Sequence, residues 1–163
     1  MIQANYGSNC EASCVVSCPP GWEREGDRCY FWSQDSWQEW KDWHDAEETC
    51  KNKGGHLASV TNEEIHDYMQ RKGIQVWIGG TDVNNMDGTG VWTDCTNWDF
   101  SSGWNEGEPN DHWGKDENCI MYKGKWGGGN YGWNDGSCKR KQRFVCSKST
   151  CTGKYIACLH III

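Results

Sequence analysis

Apolar and polar positions follow two rhythms along the first half of the chain. Trp43, Ala46, Glu47 and Cys50 stand at i, i+3, i+4 and i+7, which predicts a helix over residues 42–53. Asp42 supplies its cap, and Gly54-Gly55 stops it. A capping-box pattern, Thr61-Asn62-Glu63-Glu64, opens a second helix to about Lys72. Ile65, Tyr68 and Met69 face inward there, and Gly73 ends it. Short runs predict strands at 28–32, 76–80 and 143–146, an extended segment at 56–60, and short strands near 119–122 and 124–126. A Cys18–Cys29 bridge would close a local hairpin. From Gly80 to Gly136 periodicity is weak, and Gly, Asn, Asp and Trp dominate. Loops this long inside a compact domain usually carry function.

Length and composition narrow the class. A chain of 163 residues suggests one domain that profits from crosslinks. Eleven cysteines without a Cys-x-x-Cys pair or zinc-type histidine spacing read as disulfides, hence an oxidising, extracellular compartment. The net charge of −7 argues against a nucleic-acid partner and suits a protein that gathers cations. No apolar run is long enough for membrane insertion. Met1-Ile2-Gln3 lacks the basic start of a leader, so a mature form is expected. Twelve tryptophans and 20 glycines fit a loop-rich, stapled fold, because Trp demands packing surface and Gly permits irregular backbone.

The chemistry gathers near the end. Glu108-Pro109-Asn110 and Trp133-Asn134-Asp135 sit in Gly-rich surroundings, with Glu117-Asn118 between them. They offer carboxylate and amide oxygens without a Cys or His cluster, the ligand type of a hard cation such as calcium. If these segments meet, the ion's open face suits a neutral, hydroxyl-rich ligand. No nucleophile is supported by an elbow motif or a base, so the chain reads as a binding protein and not an enzyme. Residues 82–88 resemble an EF-hand loop only until Met86 and Asp87 break the pattern. Lys139-Arg140-Lys141-Gln142-Arg143 reads as a solvated edge.

The order of landmarks resembles the C-type lectin-like domain over residues 18–147. The matching pieces are Cys18-Pro-Pro-Gly-Trp22, Trp43 through Ala46 to Cys50, and Gly54-Gly-His-Leu-Ala-Ser-Val60. They continue with Trp77-Ile-Gly-Gly80, Trp104-Asn-Glu-Gly-Glu-Pro-Asn110, Glu117-Asn-Cys119, Trp133-Asn-Asp135 and Phe144-Val-Cys146. The resemblance implies an α+β double-loop fold, two helices with small antiparallel sheets. It implies bridges Cys50–Cys146 and Cys119–Cys138, with Cys18–Cys29 marking the long form. Residues 1–17 and 148–163 stand outside it as Cys-containing extensions. Cys10, Cys14, Cys95, Cys151 and Cys158 remain, an odd number, which points to a disulfide-linked homo- or hetero-dimer or a free thiol. A local Cys151–Cys158 loop and a bridge from Cys95 to an extension cysteine are both open.

The same resemblance assigns the principal calcium to Glu108, Asn110, Glu117, Asn134 and Asp135, with a cis bond between Glu108 and Pro109. Two vicinal sugar hydroxyls complete the shell, each both donor and acceptor. Glu-Pro-Asn goes with mannose- and N-acetylglucosamine-type sugars, Gln-Pro-Asp with galactose. His112, Trp113 and Tyr131 are rim candidates for sugar contact. A second calcium maps onto Asp82, Asp87, Asp111, Glu117 and Asn118, although spacing in 82–88 departs by one residue and Asn118 stands where many relatives have Asp. The implied function is calcium-dependent glycan recognition by a secreted lectin in innate recognition or agglutination. The alternatives are an ice-, mineral- or protein-binding relative, or a galactose-type lectin whose rim overrides the motif. Affinity is expected to fall as acid nears the ordinary carboxylate pKa, about 4.

Overall fold

A computed structural model describes residues 13–14, 17–81, 90–100, 102–111, 117–124 and 131–152; for 13–14 and 151–152 only the backbone is considered. The strands are β1 (Ser13–Cys14), β2 (Glu23–Glu25), β3 (Arg28–Trp32), β4 (His56–Leu57), β5 (Val76–Thr81), β6 (Val91–Trp92), β7 (Cys119–Gly124), β8 (Tyr131–Gly136), β9 (Val145–Ser149) and β10 (Cys151–Thr152). The helices are α1 (Trp43–Asn52) and α2 (Glu63–Lys72). One antiparallel sheet has the order β2-β3-β9-β4 and the other β6-β5-β7-β8, while β1 pairs with β10. Cys14 stands opposite Cys151 in that small pair, so the two extensions meet.

Both helices form where the apolar spacing placed them. Asp42 accepts from the Asp45 N–H at 3.0 Å, and α1 buries Trp43, Ala46, Glu47 and Cys50. Trp43 donates its indole N–H to the Ile78 carbonyl at 2.8 Å, which pins α1 to β5. At α2 the cap is Asn62, one residue later than the capping-box pattern implied; its side chain accepts from the Ile65 N–H at 3.0 Å. Gly73 closes α2 with φ 59°, a left-handed conformation that glycine takes without steric cost. Two apolar clusters result, one between α2 and the sheets around Tyr122 and Trp133, the other between α1, Trp77 and Phe144.

Three bridges lock this frame: Cys18–Cys29, Cys50–Cys146 and Cys119–Cys138. Cys95 is also disulfide-bonded, to a partner outside the described side chains. The strand expected at 143–146 begins at Val145 and runs to Ser149. The larger correction concerns Trp133-Asn134-Asp135. Expected in a loop, it lies inside β8, paired with β7 at six successive positions from Cys119↔Gly136 to Gly124↔Tyr131.

Glu47 is a carboxylate on the buried stripe of α1, only 5% exposed. Its Oε1 lies 2.7 Å from His56 Nδ1, and its Oε2 accepts from the Leu57 N–H at 2.8 Å. Burial alone would raise its pKa; the bonds from His56 and Leu57 outweigh that and hold it below the usual carboxylate value. A depressed carboxyl stabilises the fold above its unfolded pKa, and that contribution is lost as pH falls through the folded value. Glu47→Ala should cost about 1–3 kcal/mol at neutral pH, the penalty for leaving buried donors unmade. Urea midpoints should converge for the two proteins as pH drops below the carboxylate range; a gap that persists there would contradict this role.

Candidate functional site

The aromatic packing of the long loop is centred on Trp133, which is fully buried in β8. The rings of Trp92, Trp98, Phe100 and Trp104 lie 5.3, 5.2, 5.8 and 5.6 Å from it, mostly edge-on or tilted. Burying a side chain of this size is worth about 5 kcal/mol at ~25 cal/mol per Å² over ~200 Å². The Trp133 backbone clamps the same loop. Its N–H donates to the Gly103 carbonyl at 2.7 Å, and its carbonyl accepts from the Asn105 N–H at 2.9 Å. Asn105 also donates through Nδ2 to the Lys123 carbonyl at 3.0 Å. The turn from Asn105 to Glu108, closed by a 3.0 Å bond with Gly107 at φ 87°, therefore hangs from β8.

Glu108 and Pro109 follow, joined by a cis peptide bond. The backbone N–H groups of Asn110 and Asp111 donate to Asp135 Oδ2 at 3.0 and 2.7 Å. Asp135 is 2% exposed, so this one oxygen fixes the loop against the strand. Asp111, at φ 41°, turns its Oδ1 to the Glu117 N–H at 3.1 Å. Thr81 donates to the Asn118 carbonyl at 2.8 Å, and Asn118 bridges Gly136. Three separate segments thus converge on the end of β8.

Two carboxylate oxygens in this convergence, Glu108 Oε2 and Asp135 Oδ1, are buried without a hydrogen-bond partner. Burial pushes the Glu108 carboxyl up to about 7, and the neighbouring Asp135 carboxylate adds to the rise; Lys123 and the Asn134 amide only partly oppose it. Two acids brought this close cannot both ionise cheaply without a cation between or beside them. The donor set is oxygen-only, so these residues fit a hard divalent ion of the calcium type. Among the described residues no group of three or more His, Cys, Asp or Glu side chains gathers for a metal, which leaves the amide oxygens of Asn110 and Asn134 as the needed supplement.

Not every residue expected at the site is joined to it. Glu108, Asn134 and Asp135 lie together, and Asn110 is tied in through its backbone; Glu117 is connected through its bond to Asp111. Tyr131 is half-buried and stacks on Tyr122 with ring centroids 6.4 Å apart, beside Gly73 and Gly124. Of the second-calcium set, Asp111 spends one oxygen on Glu117, and Asn118 supplies its carbonyl to Thr81. Asp82, Asp87, His112 and Trp113 lie outside the described residues. Sequence reasoning missed the structural part played by Gly103 and Asn105. The signal available was the cluster of Trp residues, whose partners the spacing alone does not reveal.

The chain belongs to the C-type lectin family: the family model "Lectin C-type domain" matches residues 39–148. This is a family of binding domains, not of enzymes. The chain is 32% identical over 152 residues to the galactose-specific lectin nattectin of Thalassophryne nattereri, covering 88% of this chain and 87% of that one. It superposes with TM-score 0.67 and 32% identity on the cow CD23 carbohydrate-recognition domain, crystallised in the presence of a GlcNAc2Man3 oligosaccharide, covering 82% and 96%. A calcium-independent type II antifreeze protein matches with TM-score 0.67 and 29% identity, covering 87% and 99%. Among the described residues no helix is long and apolar enough to cross a membrane.

A Cβ at Gly103 would come within 2.7 Å of three Trp133 ring atoms, closer than real Cβ contacts allow. Gly103→Ala should therefore destabilise the domain by about 1–3 kcal/mol through overpacking. The near-ultraviolet circular dichroism of the tryptophans should change with it. An unaltered melting temperature and spectrum would show that Trp133 is not the rigid centre of the loop.

Proposed function

We propose that this domain is a secreted, calcium-dependent lectin that binds terminal mannose- or N-acetylglucosamine-type sugars. The observation that carries the reading is the pair of buried, unpartnered oxygens on Glu108 and Asp135. Glu108, Asn110, Glu117, Asn134 and Asp135 would hold the ion. Calcium, when bound, supplies open coordination positions for two vicinal hydroxyls. Around it, a carboxylate such as Glu108 accepts a hydroxyl proton, while an amide such as Asn110 or Asn134 donates to a hydroxyl oxygen. Alternating acid and amide thereby satisfies both halves of a diol. The Glu-Pro-Asn sequence supports the mannose-type preference. The similarity to a galactose-specific lectin favours a second reading, in which rim residues override that motif.

Individual sugar contacts are weak, so useful binding needs several sites. Eleven cysteines cannot all pair within one chain, which supports a disulfide-linked dimer; a monomer mass without reductant removes that part of the proposal.

Titration with mannose, N-acetylglucosamine and galactose, with and without chelator, tests the main reading. Mannose and N-acetylglucosamine should bind only with calcium. Glu108→Gln combined with Asn110→Asp should weaken mannose by roughly tenfold or more, the scale of losing one charge-assisted bond. Tighter galactose binding by the unaltered protein would instead support the rim-driven reading, and binding that survives the chelator would end the calcium mechanism.

The pH response differs from that of an ordinary carboxylate. In the metal-free domain Glu108 has a raised pKa, so the fold gains stability as pH falls from about 7 toward the unfolded value. Calcium must displace that proton, so its affinity should begin to fall near neutrality and not near pH 4. Calorimetric titration between pH 8 and pH 5 reads this; constant affinity down to pH 5 would contradict the coupling of Glu108 to Asp135.

A further inference from the structure

The turn between β8 and β9 reverses the charge of its surroundings. Lys139, Arg140 and Lys141 are exposed, and none has an ion-pair partner among the described residues. In a chain of net charge −7, three adjacent unpaired cations make a local positive field. Their backbone is already ordered. Arg140 donates its N–H to the Ser137 carbonyl at 2.9 Å, and its own carbonyl accepts from Trp77 Nε1 at 3.1 Å. Gln142 and Lys41 exchange backbone bonds of 3.0 Å in both directions, and Cys138 is bridged to Cys119. The cations are held out from a stiff turn, not a flexible tail.

Arg140, Lys141, Gln142 and Arg143 of this turn line a groove of about 380 Å³ together with Trp40 and Ile74. Trp40 is 38% exposed, so part of its indole is open to a ligand. Gln142 lines the groove and is 4% exposed. Its side-chain oxygen Oε1 accepts from Gln75 Nε2 at 2.8 Å, and its own Nε2 is buried without an acceptor. Arg143 Nε is likewise buried and unpartnered, while its Nη1 meets the exposed carboxylate of Asp35 at 3.4 Å. The groove thus brings two cations together with two buried donors that lack acceptors.

We propose that this groove binds a sulfated polysaccharide chain. Sulfates would face Arg140 and Lys141 in the groove and Lys139 next to them in the chain, and a sugar ring would lie against Trp40. A chain laid in the groove reaches the cations and the Trp40 indole together, whereas a flat lipid surface meets only the exposed cations. The groove shares no residue with the Glu108–Asp135 site, so binding here needs no calcium and does not compete with mannose.

The test is surface plasmon resonance of the full chain on immobilised heparin, in chelator and at physiological salt. The unaltered protein should bind, more weakly as ionic strength rises. Lys139→Ser with Arg140→Ser and Lys141→Ser should bind roughly tenfold or more weakly, since three contributing charges are gone. Trp40→Ala should weaken binding without changing the salt dependence. Should the triple variant melt lower than the parent, Lys141→Ser alone carries the test, with an expected loss of roughly two- to threefold. No binding by the unaltered protein, or a folded variant that binds as well as the parent, overturns the proposal. Tighter binding to phosphatidylserine vesicles than to heparin overturns it in favour of a membrane surface.

Discussion

The long loop is held by the burial of one ring. Trp133 gathers four aromatic side chains from residues 92–104 onto β8, and its backbone bonds to Gly103 and Asn105 in the same place. A segment with so few ladder hydrogen bonds would otherwise lose more conformational entropy than it recovers. Asn134 and Asp135 follow Trp133 directly, and Glu108 hangs from the turn that Asn105 begins. The apolar side of the strand therefore sets the position of the polar chemistry beside it. Any displacement of the ring moves strand and loop together.

The resulting site is electrostatically unfavourable in isolation. Asp135 contributes one oxygen to loop geometry and leaves the other unpartnered beside Glu108. Setting the half-buried Glu108 carboxyl against the buried Asp135 costs stability unless a positive charge joins them. The disulfides and aromatic packing offset that cost, so the acids stay close together. Glu47 shows the opposite solution: it is also a buried carboxylate, but His56 and Leu57 satisfy both its oxygens. The contrast is between an acid in α1 with both oxygens satisfied and a pair at β8 with one oxygen each left without a donor.

Much of this organisation was legible in the residues. The helices carry their own period, caps and stops, because those signals act within a few residues of one another. The Asn62 cap departs from the capping-box reading by one position, a scale on which local chemistry offers near-equivalent choices. Strand β8 was not legible as a strand: Gly132, Asn134, Asp135 and Gly136 have low strand propensity, and only pairing with β7 overrides it. The residue types of Glu108, Asn110, Asn134 and Asp135 pointed to oxygen ligation by themselves, and family resemblance assigned them to one ion. Which oxygens would be left without partners, and the raised Glu108 carboxyl, depend on loop closure across more than twenty residues. Tyr131 illustrates the same limit, because its distance along the chain from Asn134 says nothing of its stacking on Tyr122.

The most direct measurement is a crystal structure grown with calcium and mannose. Density for an ion bonded to Glu108 Oε2 and Asp135 Oδ1, with two sugar hydroxyls in its coordination shell, is the expected result. An ordered water joining those two oxygens, with the sugar or the ion held elsewhere on the domain, would contradict it.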